Sequence, residues 1–270
     1  MQTLKAWENI CKFVSDSYRV GSVADYIADP NNIKIIFKHD VECDPMRALH
    51  MAEIENRLGV KATYYFQADV AFNNQDILKK IADLNHEIAY HYDVMDAQSG
   101  NIGLAIKEFE ENMIKFRSLG YVVKTVCPHG NPLMQRVGWT SNKDFFRNDL
   151  VKNNYLGVFD VVVQSKDMFE NGFSYITDAG YSWKLVASIN ENDRIQSEDK
   201  ELSDLKKYVI DSNRFPIIIS SHPHRWLSNC LQAFLKKVIF KAARKLSRIL
   251  SKVPVLHKFM SKFYFVARKF

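Results

Sequence analysis

Cysteine is scarce and unpaired. Cys11, Cys43, Cys127 and Cys230 are the only four in 270 residues, and their spacing matches no disulfide framework, so free thiols in a reducing compartment are expected. No apolar run approaches the ~20 residues that a membrane-spanning helix needs. The opening Met1-Gln2-Thr3-Leu4-Lys5-Ala6-Trp7-Glu8 has neither a basic start nor a continuous apolar region. No signal peptide is therefore expected, and the protein is expected to stay in the cytoplasm. Internal repeats and low-complexity linkers are absent. Acid is missing from the C-terminal stretch: Leu231 to Phe270 holds eleven Lys and Arg and no Asp or Glu. Of 37 basic residues 26 then remain to face 31 acidic ones, so the net charge of +6 hides a body at about −5 and a basic tail. An acidic body without a recognition motif argues against a nucleic-acid partner.

What is present is 47% hydrophobic content, enough for one large core. Strand-like and helix-like stretches alternate. Strands are predicted at Ile33–Phe37, Val60–Phe66, Glu87–His91, Tyr121–Val126, Val158–Val163, Phe173–Thr177 and Pro216–Ser220. Helices are predicted from Met46 to Leu58, ending at Gly59, from Asp76 to Leu84, and from Ile102 to Leu119, ending at Gly120. In the last of these Ile102, Ile106, Phe109, Met113 and Phe116 recur at helical spacing. This order predicts an α/β fold, a parallel (β/α) barrel of about seven strands, with residues 1–228 as one barrel domain and 229–270 as a tail.

The chain is organised around Ile33-Lys34-Ile35-Ile36-Phe37-Lys38-His39-Asp40-Val41-Glu42-Cys43-Asp44-Pro45. Its apolar half reads as a buried strand. Asp40 and Glu42, two apart in extended backbone, project to one side and can face one cation or one substrate atom. Burying two like charges together is costly without a cation or a shared proton. The plainer reading, solvated acids or a helix cap, suits Asp44, which precedes Pro45. His39, His91, His129 and His222 also fall at or just past strand ends, which in a parallel barrel meet at one face. One such histidine is ordinarily structural, but four with two carboxylates form the ligand set of zinc or a similar divalent ion. His50, His86, His224 and His257 are assigned to packing, and Cys43 and Cys127 to spacer roles. In the tail Phe234, Leu235, Val238, Ile239, Ala242, Leu246, Ile249, Leu250 and Val253 form an apolar stripe opposite Lys236, Lys237, Lys241, Arg244, Lys245, Arg248 and Lys252. Such a helix suits an anionic membrane surface, the plainer alternative being a helix packed on the barrel with a solvated basic face. Pro254 should end it before a second basic, aromatic piece around Phe263-Tyr264-Phe265.

The segments His39-Asp40-Val41-Glu42, Gly59-Val60-Lys61-Ala62-Thr63-Tyr64-Tyr65-Phe66, Asn85-His86-Glu87-Ile88-Ala89-Tyr90-His91, Cys127-Pro128-His129-Gly130, Asp178-Ala179-Gly180-Tyr181-Ser182-Trp183 and Ser220-Ser221-His222-Pro223-His224-Arg225-Trp226 carry a resemblance. In this order, over about Ile33 to Trp226, the chain resembles the polysaccharide deacetylase family, the fourth carbohydrate esterase family. It looks like a divergent member of the kind found among surface-polysaccharide biosynthesis proteins. The resemblance implies a distorted (β/α) barrel and a metal-dependent hydrolase that removes acetyl groups from a sugar of a surface polysaccharide or of its lipid- or nucleotide-linked precursor. It implies Asp40 as general base, Glu42 and His91 as ligands of a divalent metal such as zinc, and His222 as the acid that protonates the leaving group. His129 lies where the family has a groove-wall loop, and Asp178 and Trp183 resemble the segment that orients and packs near the catalytic pair. Apart from the resemblance, Tyr90, Tyr92, Tyr181 and Trp183 lie near the loops, where each ring either stacks on a sugar or belongs to the core; Tyr92, Asp178 and Trp183 are taken as the substrate side. Two departures bear on this. Most members carry two adjacent aspartates where His39-Asp40-Val41-Glu42 stands, so Asp40 is base or ligand. The family's second metal histidine falls at Met95, so either His129 or His222 completes the site, with Glu42, His91 and His129 taken as the ligands, or metal binding is weak and the activity altered or lost. Without a complete set, the same barrel would bind a glycan or a partner enzyme and not react with it.

Overall fold

The computed structural model describes residues 2–131, 134–165, 172–186, 189 and 200–250. Its strands are β1 (Val20–Gly21), β2 (Ile35–Val41), β3 (Thr63–Phe66), β4 (Glu87–Tyr92), β5 (Thr125–Pro128), β6 (Phe159–Asp160), β7 (Ser174–Thr177), β8 (Lys184–Val186), β9 (Lys200–Glu201) and β10 (Ile217–Ser221). They form one mixed sheet in the order β6-β5-β4-β3-β2-β10-β7-β8-β9, with β1 also on β2. Pairing is parallel from β6 through β7 and antiparallel only at β8 and β9. All seven predicted strand stretches overlap a strand, though β2 and β5 start and end later than expected. The barrel expectation is narrowed: among the described residues the sheet is an open path from β6 to β9, and no ladder closes it. The extra strands β1, β8 and β9, two or three residues each, are too short to show a period.

β2 lies at the centre, between β3 and β10, and all seven of its residues are buried. A parallel strand covered on both faces reads as a near-continuous apolar run, and Ile35-Ile36-Phe37 obeys this. Lys38, His39 and Asp40 do not, so each must find a partner. Alternation sorts them. Ile36 belongs to a small cluster with Tyr65, Ala89, Cys127, Tyr175 and Ile218, drawn from strands across the sheet, and this is the inner side. Ile35, Phe37 and Val41 join the larger cluster that includes Trp7, Tyr64, Tyr90, Tyr92, Phe109 and Phe116 beneath the helices.

The helix Pro45–Arg57 starts with Pro at its first turn. Asp44 does not cap it with its side chain as expected; the residue sits at φ 52° and its carboxylate pairs with Arg47 instead. Gly59 (φ +69°) and Gly120 (φ +91°) supply the left-handed turns after the helices Pro45–Arg57 and Ile102–Ser118. The helix Cys230–Leu250 begins where the Asn229 side chain accepts from the backbone of Leu231 and Gln232. Its contacts with the body are made by the buried Ala233, by Lys236, whose ammonium donates to the His224 carbonyl, and by Phe240 on Tyr181. The apolar residues Leu231, Phe234, Leu235, Val238 and Ile239 are all exposed. The expected break at Pro254 and the aromatic piece beyond it lie outside the described residues.

Candidate active site

Parity builds the site. On β2 and just past it, Lys38, Asp40 and Glu42 follow Ile36 onto the inner side; on β4 it is His91, after β5 His129, and after β10 His222. Glu42 Oε1 is the hub, 3.8 Å from His91 Nε2, 3.5 Å from His129 Nε2 and 3.9 Å from His222 Nε2. The ligand atoms of Glu42, His91 and His129 all lie within 4.8 Å of one another. Tetrahedral ligands at about 2.0–2.1 Å from a zinc ion stand roughly 3.3 Å apart, so these separations suit one cation. His91 Nδ1 makes its hydrogen bond to the Cys127 carbonyl at 3.0 Å, which turns the lone pair of Nε2 inward. That Nε2 is buried and has no hydrogen-bond partner among the described residues. A carboxylate and two imidazoles, one of them with an orphaned ring nitrogen aimed among the three, fit a divalent metal of the zinc type.

Electrostatics agree with this donor set. Burial alone would raise the Glu42 pKa, but the imidazoles of His129, His91 and His222 around it outweigh burial and hold the carboxyl well below its ordinary range. Asp40 is also desolvated, yet the Lys38 ammonium, helped by His91 and His222, brings it down to about 2. Both acids therefore face the site as anions. The Cys127 thiol is pushed well above its ordinary range by burial, which suits a spacer and not a nucleophile.

His222 is held by Asp178. Its Nδ1 lies 2.6 Å from Asp178 Oδ1 and its backbone N–H donates to Oδ2 at 3.1 Å, leaving Nε2 toward Glu42. Asp178 is fully buried and also accepts from Trp226 Nε1 at 2.9 Å and from the Arg225 guanidinium at 3.3 Å. Desolvation would raise its pKa, but the charges of His222 and Arg225 lower it. A second network holds His129. Asn142 donates to the His129 carbonyl at 2.9 Å and to Asp96, whose carboxylate also takes Arg136 in a two-pronged pair at 2.7 Å and Trp139 Nε1 at 2.9 Å. Arg136, Trp139 and Asn142 come from a loop with no periodic pattern and Asp96 from the short helix Val94–Ala97, and nothing in the sequence marked them.

No protein-family model and no curated protein matches the sequence. Matches among solved structures include family 4 carbohydrate esterases. One, from Streptomyces lividans in complex with acetate, is 14% identical at a TM-score of 0.44, over 78% of this chain and 88% of that one. A family 4 pseudoenzyme from Bacillus anthracis is 14% identical at a TM-score of 0.41, over 79% of this chain and 62% of that one. The catalytic domain of a peptidoglycan N-acetylglucosamine deacetylase from Eubacterium rectale is 13% identical at 0.41, over 78% and 84%.

Several expected residues lie elsewhere. His39, between Lys38 and Asp40, points to the outer side, where Nδ1 meets Ser221 Oγ at 2.7 Å and Nε2 lies 2.9 Å from Glu55 Oε1. Tyr92, next to His91, is outward for the same reason: it is fully buried among Phe109, Phe145 and Phe146, and its hydroxyl donates to Asp160 at 2.5 Å. It cannot touch a substrate there. Asp178, expected on the substrate side, is enclosed and reaches the site only through His222. Trp183 packs on Trp226 with ring centroids 5.8 Å apart and lines a cleft of about 790 Å³ with Tyr181, Gln2 and Asp204. Lys38 is the residue the sequence reading missed. It is fully buried, with Nζ 2.7 and 2.9 Å from the two Asp40 oxygens.

Proposed function

We propose that the chain is a metal-dependent hydrolase that removes an acetyl group from a sugar of a surface polysaccharide or its lipid- or nucleotide-linked precursor. The observation that carries this reading is the Glu42, His91 and His129 cluster with the buried, unpartnered His91 Nε2 at its centre. These three residues would hold zinc or a similar ion. When bound, the ion supplies Lewis-acid polarisation of the acyl carbonyl. Asp40, kept ionised, takes the proton of the attacking water. His222 gives a proton from Nε2 to the leaving amine or alkoxide, with Asp178 on Nδ1 fixing the ring.

The helix Cys230–Leu250 bears on where the reaction occurs. Its apolar residues Leu231, Phe234, Leu235, Val238 and Ile239 are exposed, and residues 231–270 hold eleven Lys and Arg without an acid. We assign residues 1–228 to the catalytic body and 229–270 to a tail that lies on anionic lipid at the cytoplasmic membrane face, since such a stripe with flanking Lys and Arg binds a headgroup layer. Among the described residues no helix is long and apolar enough to cross a membrane.

The test is metal analysis of purified protein together with acetate release from N-acetylated oligosaccharides. Roughly one equivalent of divalent ion is expected, lost with the activity in Glu42→Ala and His91→Ala. Stoichiometric metal surviving both substitutions, or sugar binding without any acetate release by metal-loaded protein, would overturn the hydrolase reading.

A further inference from the structure

Asp40 and Glu42 share one face of one strand end, and both could ligate the same cation. The Asp40 carboxylate lies within 4.8 Å of a ring nitrogen of His91 and of Cys127 Sγ, close enough to join the ligands around Glu42. What separates the two acids is an ammonium. Lys38 Nζ contacts both Asp40 oxygens, at 2.7 and 2.9 Å, and lies 3.3 Å from both Tyr175 Oη and Ser220 Oγ. The cage is drawn from β2, β7 and β10, with the Tyr65 ring of β3 5.3 Å away. A lysine ammonium has three donors and no freedom in a wholly buried cage, so its position is set by the sheet itself. Among the described residues Glu42 has no lysine partner, and it turns its oxygen toward three imidazoles.

We propose that Lys38 is a positioning residue that keeps Asp40 out of the cation's ligand set. Glu42 alone then supplies the carboxylate, and Asp40 remains a proton acceptor beside the open coordination position. This assignment rests on the metal-dependent reading above. Attraction between Lys38 and Asp40 is strong in a dry site, and removing the ammonium leaves a buried carboxylate whose nearest compensation is the metal.

The experiment uses Co²⁺ as the bound ion, with its affinity and visible absorption band as readouts independent of turnover. In the otherwise native protein, Asp40→Asn leaves the band unchanged. Lys38→Met alters the band and tightens Co²⁺ binding by about tenfold, the scale on which partners beyond the ligands tune a site. Asp40→Asn added to Lys38→Met reverses both changes, and Lys38→Arg retains the native band. A Lys38→Met protein that loses thermal stability with an unchanged band has lost only a structural contact, and overturns the proposal. Should Lys38→Met fail to fold, the doubly substituted protein, which buries neither charge, is compared with Asp40→Asn alone: matching bands support the proposal and different bands overturn it. Native protein that takes up no Co²⁺ through Glu42 and His91 overturns the hydrolase reading itself. Native uptake with a band altered by Asp40→Asn overturns only the role of Lys38.

Discussion

The two faces of β2 carry similar chemistry to different ends. On the outer face His39 has a polar partner within 2.9 Å at each ring nitrogen, and Glu55 also accepts from Trp7 Nε1 at 2.8 Å and from the Tyr64 hydroxyl at 2.7 Å. On the inner face the His91 Nε2 has no hydrogen-bond partner among the described residues, and the nearby Glu42 oxygen stands 3.8 Å off. Both faces bury an acid and histidines. The outer groups close to 2.9 Å, although His39 Nε2 makes no regular hydrogen bond there; the inner histidines stand 3.5–3.9 Å from the Glu42 oxygen, a spacing that a cation fits. The spacing of the polar groups, more than their identity, distinguishes the outer cluster from the candidate site.

Substitution on each face should separate the two roles. His91→Ala should abolish metal uptake and activity with little loss of stability. Glu55→Ala strands His39, Trp7 and Tyr64 in the interior and should cost about 3–5 kcal/mol in denaturant unfolding, while the protein that remains folded still binds metal. The comparison breaks if Glu55→Ala abolishes metal uptake by folded protein.

A smaller effect is expected one step from the site. Asp178→Asn should lower acetate release by about 10²–10⁴, the usual worth of a positioned acid, with metal content unchanged. Loss of metal in this variant would move His222 from acid to ligand.

His224 offers a third, milder contrast with its neighbour. Burial, with the charge of Arg225, brings its pKa from 6.5 to about 3, so the folded protein keeps it neutral. The unfolded chain takes up that proton below about 6.5, so this neutral histidine favours unfolding progressively as pH falls from about 6.5 to about 3 and costs nothing above that window. His224→Phe should flatten the fall in stability measured by urea unfolding across this range. An unchanged pH profile would remove His224 as its source.

The smallest effect expected on catalysis is that of the tail. Truncation after Ser228 should leave metal binding and turnover of soluble substrate intact and abolish sedimentation with anionic vesicles. The intact chain should bind less as salt shortens the Debye length from about 10 Å at 0.1 M to about 3 Å at 1 M. Equal vesicle binding by both chains, or unfolding of the shorter one, returns the helix to the core.

Much of this architecture was legible because strong local patterns agree with it. The Ile-rich run of β2, the stops at Gly59 and Gly120, and Phe109 and Phe116 on the helix Ile102–Ser118 needed no distant information. Period-two parity was legible too, yet it was applied only to Asp40 and Glu42. Extended to Lys38 it places the ammonium with the acids; applied to His39 and Tyr92 it sends them outward. The grip of Asp178 on His222 and of Asn142 on His129 depends on contacts between segments far apart in sequence, which no spacing rule encodes. The tail showed its apolar and basic faces plainly, but which one meets the body followed only from the packing of Ala233, Lys236 and Phe240.

The place of β10 has a consequence for how the chain assembles. β2 is paired to β10 along five residues, Ile35 to His39 against Ile217 to Ser221, and these partners are some 180 positions apart. Pairings of such long range are slow to form. Until β10 arrives, β2 is an edge, with Ile35-Ile36-Phe37 offering unpaired backbone to any passing strand. Charges pointing inward along an exposed edge are a known guard against such pairing. Lys38 and Asp40 are thus placed to protect the half-built sheet from aggregation before they belong to any site.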